Sequence, residues 1–564
     1  MLVPLDIDSR MNVDEDERND KLKEGTSHSA LHASQKHLQA KDQSTQISNN
    51  NIVHETVNVN IPLSFHSDDN SSVGMNESVV TAEYLDAFKK KLSEEQWKLD
   101  HNDRVLINEE VHGVSSLSRE ESTSLIRTSL ANLCFELCEL VRKDTQIEAV
   151  VAALAAREVP NRSLLQSSFA AGYMMSQWES HKNNSGTHTN TGSAYVNCME
   201  FRLRFLRCED FDAKKAAIRM MKYLNLVYEL FGYFALFRPI KLSDFTRREL
   251  KILQSGWLQV LPYRDRSGRR VLVWVGKMGF ELDPILRIKL NTYVFLAGTR
   301  DPESQRKGVV ALVWPQTSSS SATWTHDIFA MNTTYIYYCK RLIDALPMKP
   351  RAVHYCILTD NQSRWSPLLE LLCKMTLTLC SRVSLVNRMR IHFGTLLEMR
   401  NILAGYGILA NQVPVTNSNT VKCQHFKQWL KLQHRIEEEP VAVSTFIDCP
   451  QSNDVVFRSG STMIHNPGNV VFRGLIESKI QDWYTNGATW TSPKTKDDIA
   501  TEIVQEVLEN RKGRFLTWDS KDDCWKEMTD MSQVKTKVAI AYRDLKLKLI
   551  KIQDQKMSVR YADS

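Results

Sequence analysis

The stretch LRFLRCEDFDAKKAA, residues 203–217, sets how the rest of the chain is read. It spells two helical turns, a short acidic break and the start of a second helix. Phe205 and Leu206 fall on the inward side of the first helix. Asp212 stands where its carboxylate can accept from the free N–H groups of a helix opening at Ala213. Ala216, Ala217, Met220, Met221, Leu224 and Val227 then recur at helical spacing, up to a stop near Gly232. Periodicity alone makes this a helical hairpin. What the hairpin belongs to depends on the segments downstream.

Residues 242–256 read as a further helix, starting at Ser243 or Asp244 and ending at Gly256. In GWLQVLPYRDRSGRRVLVWV, one strand surrounds Trp257 and Gln259. Asp265 to Gly268 supply a turn, and Val271, Val273 and Val275 mark a second strand. A helix over 283–297 leads into KGVVALVW (307–314), the continuous β-branched run of a strand buried on both faces. A helix over 327–346, a strand in PMKPRAVHYCILTD, a helix over 365–379 and a strand in RMRIHFGT (388–395) follow. Strand and helix alternating in this way predict an α/β fold with a mostly parallel sheet and right-handed crossovers.

Taken in order, these phrases resemble the CRAL-TRIO lipid-binding family, from the Phe-Leu-Arg hairpin through the closing strand at 388–395. Asp265, Gly268 and Arg269 match its Asp-x-x-Gly-Arg-Pro-Val phrase, with Arg270 in place of the proline. Trp314 and Pro315 stand where the family commonly has Asp, Asp360-Asn361 replace its Asn-x-Pro, and GYGILANQVP (405–414) lacks its double glycine. The resemblance covers 195–420. It implies a helical N-terminal part on a mostly parallel sheet, and an apolar pocket for a lipid or other hydrophobic small molecule. The pocket-wall candidates are Val309, Ala311 and Val313, or the alternate set Val310 and Leu312, together with Tyr355 and Ile357. Alternation leaves open which set faces the pocket. If the strands pack solidly instead, the domain is a scaffold without a ligand.

Residues 421–440 turn from basic to acidic and read as a linker helix, within a linker that extends to 452. Beyond it, Asp454, Arg458, Gly460, His465, Pro467, Gly468, Asn469 and Arg473 resemble domain of unknown function 6824, expanded in diatom proteins. That resemblance spans 453–546. By periodicity the segment is a small α+β unit: helices built on Phe472, Leu475, Ile476 and Ile480, on Ile499, Ile503, Val507 and Leu508, and on Val534, Val538 and Tyr542, with one hairpin around TWDSKDDCW. Arg458, His465, Asn469, Arg473, Lys494 and Lys496 are its interaction candidates. They fit the phosphates of a nucleic acid or an acidic protein partner, or are simply a solvated basic face. Residues 547–564 read as a basic tail.

The remaining segments are less informative. Residues 1–115 are polar and too poor in apolar side chains to offset chain entropy, which predicts a disordered tail in which NVNIPLSF (58–65) could dock. Helical patches at 126–141, 147–156 and 163–178, followed by the linker-like HKNNSGTHTNTGS (181–193), form over 116–194 either a brace on the next domain or a separate bundle. Cys134 and Cys138, four apart, read as core. The 564 residues carry a net charge of only +6, which neither requires nor excludes an anionic partner.

Eleven cysteines without paired spacing and no visible leader point to a reducing compartment, cytoplasmic or nuclear. The most apolar window, 368–386, is interrupted by Glu370, Lys374 and Arg382, so membrane contact is expected only at the periphery. No glycine-rich phosphate loop, HExxH, paired CxxC or GxSxG motif occurs. His354 and His392 lie inside strands and read as hydrogen-bonded core residues, and His465 as a loop-fixing side chain. The chain therefore reads as a non-catalytic binding protein, a carrier or sensor with an appended regulatory domain, requiring neither cofactor nor metal. The alternative is a regulatory interaction protein acting through 453–546.

Overall fold

The computed structural model describes residues 97–142, 195–276, 282–314, 333–358, 383–418, 420–438, 446–458, 466–486 and 495–562, with a few single positions besides. It is a mixed α/β structure with a helical majority and a parallel-rich sheet. The expected helices at 147–156, 163–178 and 365–379, the 181–193 linker, the segment 58–65 and the loop after Trp314 lie outside the described residues.

Helix α1 (His101–Val111) is capped by Asp100, whose carboxylate accepts from the Asp103 N–H at 2.6 Å. The expectation of disorder through residue 115 fails here. Glu110 and Val111 are fully buried, and the Glu110 carboxylate is paired with Arg351 and Arg388. Composition cannot show this, because the arginines that order the segment lie more than two hundred residues away. Helix α2 (Thr123–Arg142) buries Leu133 and Leu137. Cys134 and Cys138 sit one position round the helix and are only half-buried, contrary to their reading as core; the Cys134 sulfur accepts from Arg202 at 2.9 Å.

Helices α3 (Met199–Cys208) and α4 (Ala213–Phe231) form the expected hairpin. Phe205 and Leu206 are fully buried, and Asp212 caps α4 by accepting from the Lys215 N–H at 3.0 Å. The acidic break works by an unusual backbone: Asp210 and Phe211 both take positive φ, 52° and 66°. That turn aims the Asp210 carboxylate at Lys349 (2.6 Å) and Arg351 (3.1 Å), so the hairpin is pinned to the strand that starts there.

The next helix, α5, runs Arg247–Gln254 and begins later than expected. Asp244 closes a preceding turn, taking Arg238 at 2.6 Å. Thr246 and Glu249 form the reciprocal cap, since Thr-x-x-Glu offers both partners where Ser243 and Asp244 offer one. Strand β1 (Leu258–Val260) pairs antiparallel with β2 (Arg270–Val275) across the predicted Asp265–Gly268 turn, where Gly268 takes φ 87°. Then follow α6 (Pro284–Gly298), α7 (Pro302–Lys307), β3 (Val309–Trp314), α8 (Thr333–Ala345), β4 (Pro350–Leu358), β5 (Met389–Gly394), α9 (Leu396–Gly405) and α10 (Gln424–Glu438).

The sheet order is β1-β2-β3-β4-β5, and β2 to β5 are parallel. Each parallel step moves the same way, so right-handed crossovers lay their helices on one face. That face carries α6 and α8, backed by α3 and α4; α9 and the end of α1 cover the other. Helix α10 is not a free linker. Phe426, Trp429 and Leu430 join the core beside α5, because the helix has one strongly apolar stripe that the α5 side of the domain can bury.

The C-terminal unit contains β6 (Val455–Phe457), α11 (Pro467–Asn486), α12 (Lys496–Gln505), β7 (Phe515–Asp519), β8 (Cys524–Glu527) and α13 (Met531–Ala562). Strands β7 and β8 are the predicted hairpin, with Trp518 facing Trp525 at 5.2 Å, and β6 adds a third strand parallel to β7. The segment read as a basic tail from 547 is instead the continuation of α13, which runs to Ala562.

This unit is joined to the α/β domain through buried charge. Arg264, at the root of the β1–β2 hairpin, donates to the carbonyls of Gly268 (3.1 Å) and Pro450 (2.9 Å), to Ser304 Oγ (2.9 Å) and to Asp301 (2.8 Å). Arg270 pairs with Asp448 at 3.1 Å, and Ser452 donates to Glu303 at 2.6 Å. Tyr263, Ile447, Trp518 and Trp525 add an apolar patch. Removing one member of such a buried set leaves charge unpaired, at a cost of about 3–5 kcal/mol. We expect Arg264→Ala to lower the urea midpoint accordingly and to expose the 446–452 segment to limited proteolysis. Unchanged stability and cleavage would show that the joint does not depend on this side chain.

Candidate functional site

Because strand side chains alternate, β2, β3 and β4 present two aligned rows to the helices α6 and α8. Leu272, Ala311 and Val353 lie side by side in register, as do Trp274, Val313 and Tyr355. Ala311 is the small residue at the middle of the first row, and a cavity of about 120 Å³ opens over it. Helix α6 contributes Asn291 and Phe295 to the roof, and α8 contributes Tyr335 and Leu342. The wall is almost wholly apolar. Its polar points are Asn291, which accepts from the Trp274 indole at 3.3 Å, and Arg287, whose guanidinium lies 3.8 Å over the Tyr335 ring.

Val309, Ala311, Val313 and Tyr355 thus line one cavity. The alternate set, Val310 and Leu312, points to the opposite face and packs with Val271, Met399 and Leu403. Ile357 is fully buried further along β4 and does not line the cavity. Sequence reading missed Trp274, Asn291 and Tyr335. Asn291 carries a legible signal, a polar side chain inside the otherwise apolar PILRIKLNTYVFLAG helix.

On the opposite face, His354 Nδ1 and His392 Nε2 are 3.0 Å apart. Both rings pack against Tyr406, which also stacks on His112 at 4.4 Å. Burial, then the neighbouring His392 and Arg269, holds His354 well below the ordinary histidine range. Burial, then Arg390 and His112, brings His392 down to about 4. Both are neutral when folded and take up protons when unfolded, so stability is lost as the pH falls from about 6.5 toward 4. Chemical denaturation at pH 7.5, 5.5 and 4.5 should show this loss, and His392→Leu should reduce it. An identical pH slope in the variant would exclude the pair as its source. Among the described residues, no group of three or more His, Cys, Asp or Glu could hold a metal ion.

In the C-terminal unit, the phrase around 454–473 has a structural logic. Asp454 is fully buried and pairs with Arg514 at 2.8 Å. The Asn469 amide accepts from Val456 N–H at 2.7 Å and donates to Val456 C=O at 2.9 Å, completing the open edge of β6. Gly468 lies so close to the Asp454 carbonyl that a Cβ would clash with it. Phe472 enters the core.

Residues 454–544 match the family described as Domain of unknown function (DUF6824). The same comparison finds no match for the CRAL-TRIO resemblance of 195–420. No curated protein matches the chain.

Within the DUF6824 match, the interaction candidates divide. Asn469 is buried and serves β6. Arg458 is exposed just after β6, its guanidinium 4.6 Å over the Trp518 ring. Asn469 is thus turned inward, while Arg458 faces outward. Arg473 is half-buried on α11, and Lys496 is exposed at the start of α12. His465 and Lys494 lie outside the described residues. Asn469→Ala should cost about 1–3 kcal/mol for each Val456 group left unpaired, read as a lower melting temperature; Asn469→Asp should recover the N–H contact alone. Equal melting of Asn469→Ala and the wild type would refute this assignment.

Proposed function

We propose that the chain is a non-catalytic binding protein, a carrier or sensor whose α/β domain, of CRAL-TRIO type, holds a hydrophobic small molecule against its sheet. The observation that carries this is the cavity over Ala311, with apolar walls and two polar points, Asn291 and Arg287. Such a wall favours apolar ligands, and a few polar groups set their orientation. Size narrows the ligand. About 120 Å³ takes a single ring or a short chain, comparable with cavities of roughly 150 Å³ that bind benzene. Small-molecule pockets commonly occupy roughly 300–1,000 Å³, so a full lipid would enter only with displacement of the α8 wall.

The DUF6824 unit is the proposed regulatory part. The segment that enters it, at Asp448 and Pro450, is held through Arg264 and Arg270 on the hairpin that leads into the cavity-lining strand β2. Among the described residues no helix is long and apolar enough to cross a membrane, so delivery would occur at a membrane surface or in solution.

Native mass spectrometry of the full chain, followed by solvent extraction, tests the proposal. A stoichiometric apolar passenger is expected in the wild type. In Ala311→Trp, whose indole would occupy the cavity, the passenger should be lost with no change in circular dichroism. A wild type that stays empty after incubation with mixed liposomes would refute the binding role. Attention would then turn to the exposed face of the DUF6824 unit, where partial burial, and then Lys496 nearby, hold the Lys546 amine below the ordinary lysine range.

A further inference from the structure

A second cavity, of about 350 Å³, opens on the helical side of the α/β domain, away from the sheet. It lies between α3, the middle of α4 and the C-terminal end of α6. Its apolar wall includes Phe201, Ile240 and Leu296. Its polar lining has a different character from that of the sheet cavity, because two guanidinium groups face it, Arg204 and Arg300.

Among the described residues Arg204 forms no ion pair. One N–H donates to the Leu296 carbonyl at 2.9 Å, capping the last turn of α6, while its Nε is buried without a hydrogen-bond partner. Burial weighs most against this cation, Tyr195, Tyr223 and the more distant Asp301 offset it in part, and Arg300 adds repulsion. Among the described residues Arg300 reaches one carboxylate, Glu437 at 3.7 Å, which is already engaged by the Tyr293 hydroxyl and the Leu242 N–H, each at 2.8 Å. Glu200 on the rim is 63 % exposed and turned to Arg207. The hydroxyls of Tyr195 and Tyr223 are hydrogen-bonded to each other at the same wall, and burial keeps both neutral.

A buried cation without a counter-charge is costly, and an anion that enters beside it relieves the cost. Arg204 without an ion pair, and Arg300 at the open side, above an apolar wall describe a ligand with an acid group at one end. We propose that this second cavity binds a small organic anion, its carboxylate or phosphate held between Arg204 and Arg300 and its apolar body laid against Phe201, Ile240 and Leu296. At about 350 Å³ the space lies within the range of small-molecule sites. The site is separate from the sheet cavity and does not depend on its occupancy.

Isothermal titration of the full chain with octanoate, octyl phosphate, 1-octanol and inorganic phosphate tests this. Either or both of the octyl acids should bind one per chain, and the tighter of the two identifies the acid group. Arg204→Gln and Arg300→Gln should each weaken that binding about tenfold or more, the loss expected for a charged hydrogen bond. Arg300 is on the open side, so its variant remains informative if Arg204→Gln misfolds. Ala311→Trp should leave the affinity unchanged. The proposal is overturned if neither acid binds, if 1-octanol binds as tightly as octanoate, or if inorganic phosphate binds as tightly as octyl phosphate. Loss of binding in Ala311→Trp would also overturn it, by placing the acids in the sheet cavity. Full affinity in Arg300→Gln would do the same by removing the second cation from the site.

Discussion

Arg264 is the side chain on which the two folded parts both lean. Its guanidinium is almost entirely removed from water, so every N–H must find an acceptor, and the acceptors come from three places: the hairpin turn, the cap of α7 and the chain entering the C-terminal unit. Asp301 supplies the counter-charge and caps α7 with the same carboxylate. An unpaired charge there would be prohibitive, so the hairpin, the helix and the entering chain hold one arrangement. The arrangement also fixes what is free. Tyr263 packs within the joint, and Arg458 and the outward faces of α12 and α13 remain for a partner.

The sheet divides the α/β domain into two unlike halves. The face under α6 and α8 has a gap over Ala311, because a methyl group stands between the larger Leu272 and Val353 side chains. The opposite face is packed. It is filled by Val310, Leu312, Met399 and Leu403, and closed by the neutral histidine pair with Tyr406. Ligand capacity and pH sensitivity therefore lie on opposite sides of the same strands.

Much of this was legible in the chain. Asp212 as a cap, the αα-hairpin, the β-branched strand at 309–314 and the turn at Asp265–Gly268 follow from local chemistry, and local chemistry is preserved in the fold. The residues of the DUF6824 phrase were also legible, but their work was not. Asn469 looks like a surface polar residue until β6 is seen to offer it an N–H and a C=O, and Gly468 is explained only by the Asp454 carbonyl beside it.

What the sequence by itself determined was therefore the inventory and order of elements: caps, periodicities, turns and the alternation that makes a parallel sheet. Which of two alternate side-chain sets faces a cavity was decided by the tertiary structure, since period-two alternation is symmetric until helices choose a face. So was the ordering of 101–111, because Glu110 becomes a core residue only when Arg351 and Arg388 converge on it from distant strands. The same holds for Arg204, an ordinary helix residue in the chain whose Nε becomes buried without a hydrogen-bond partner once α6 closes over it. Burial and charge pairing depend on which distant segments meet, and no local pattern of residues contains that information.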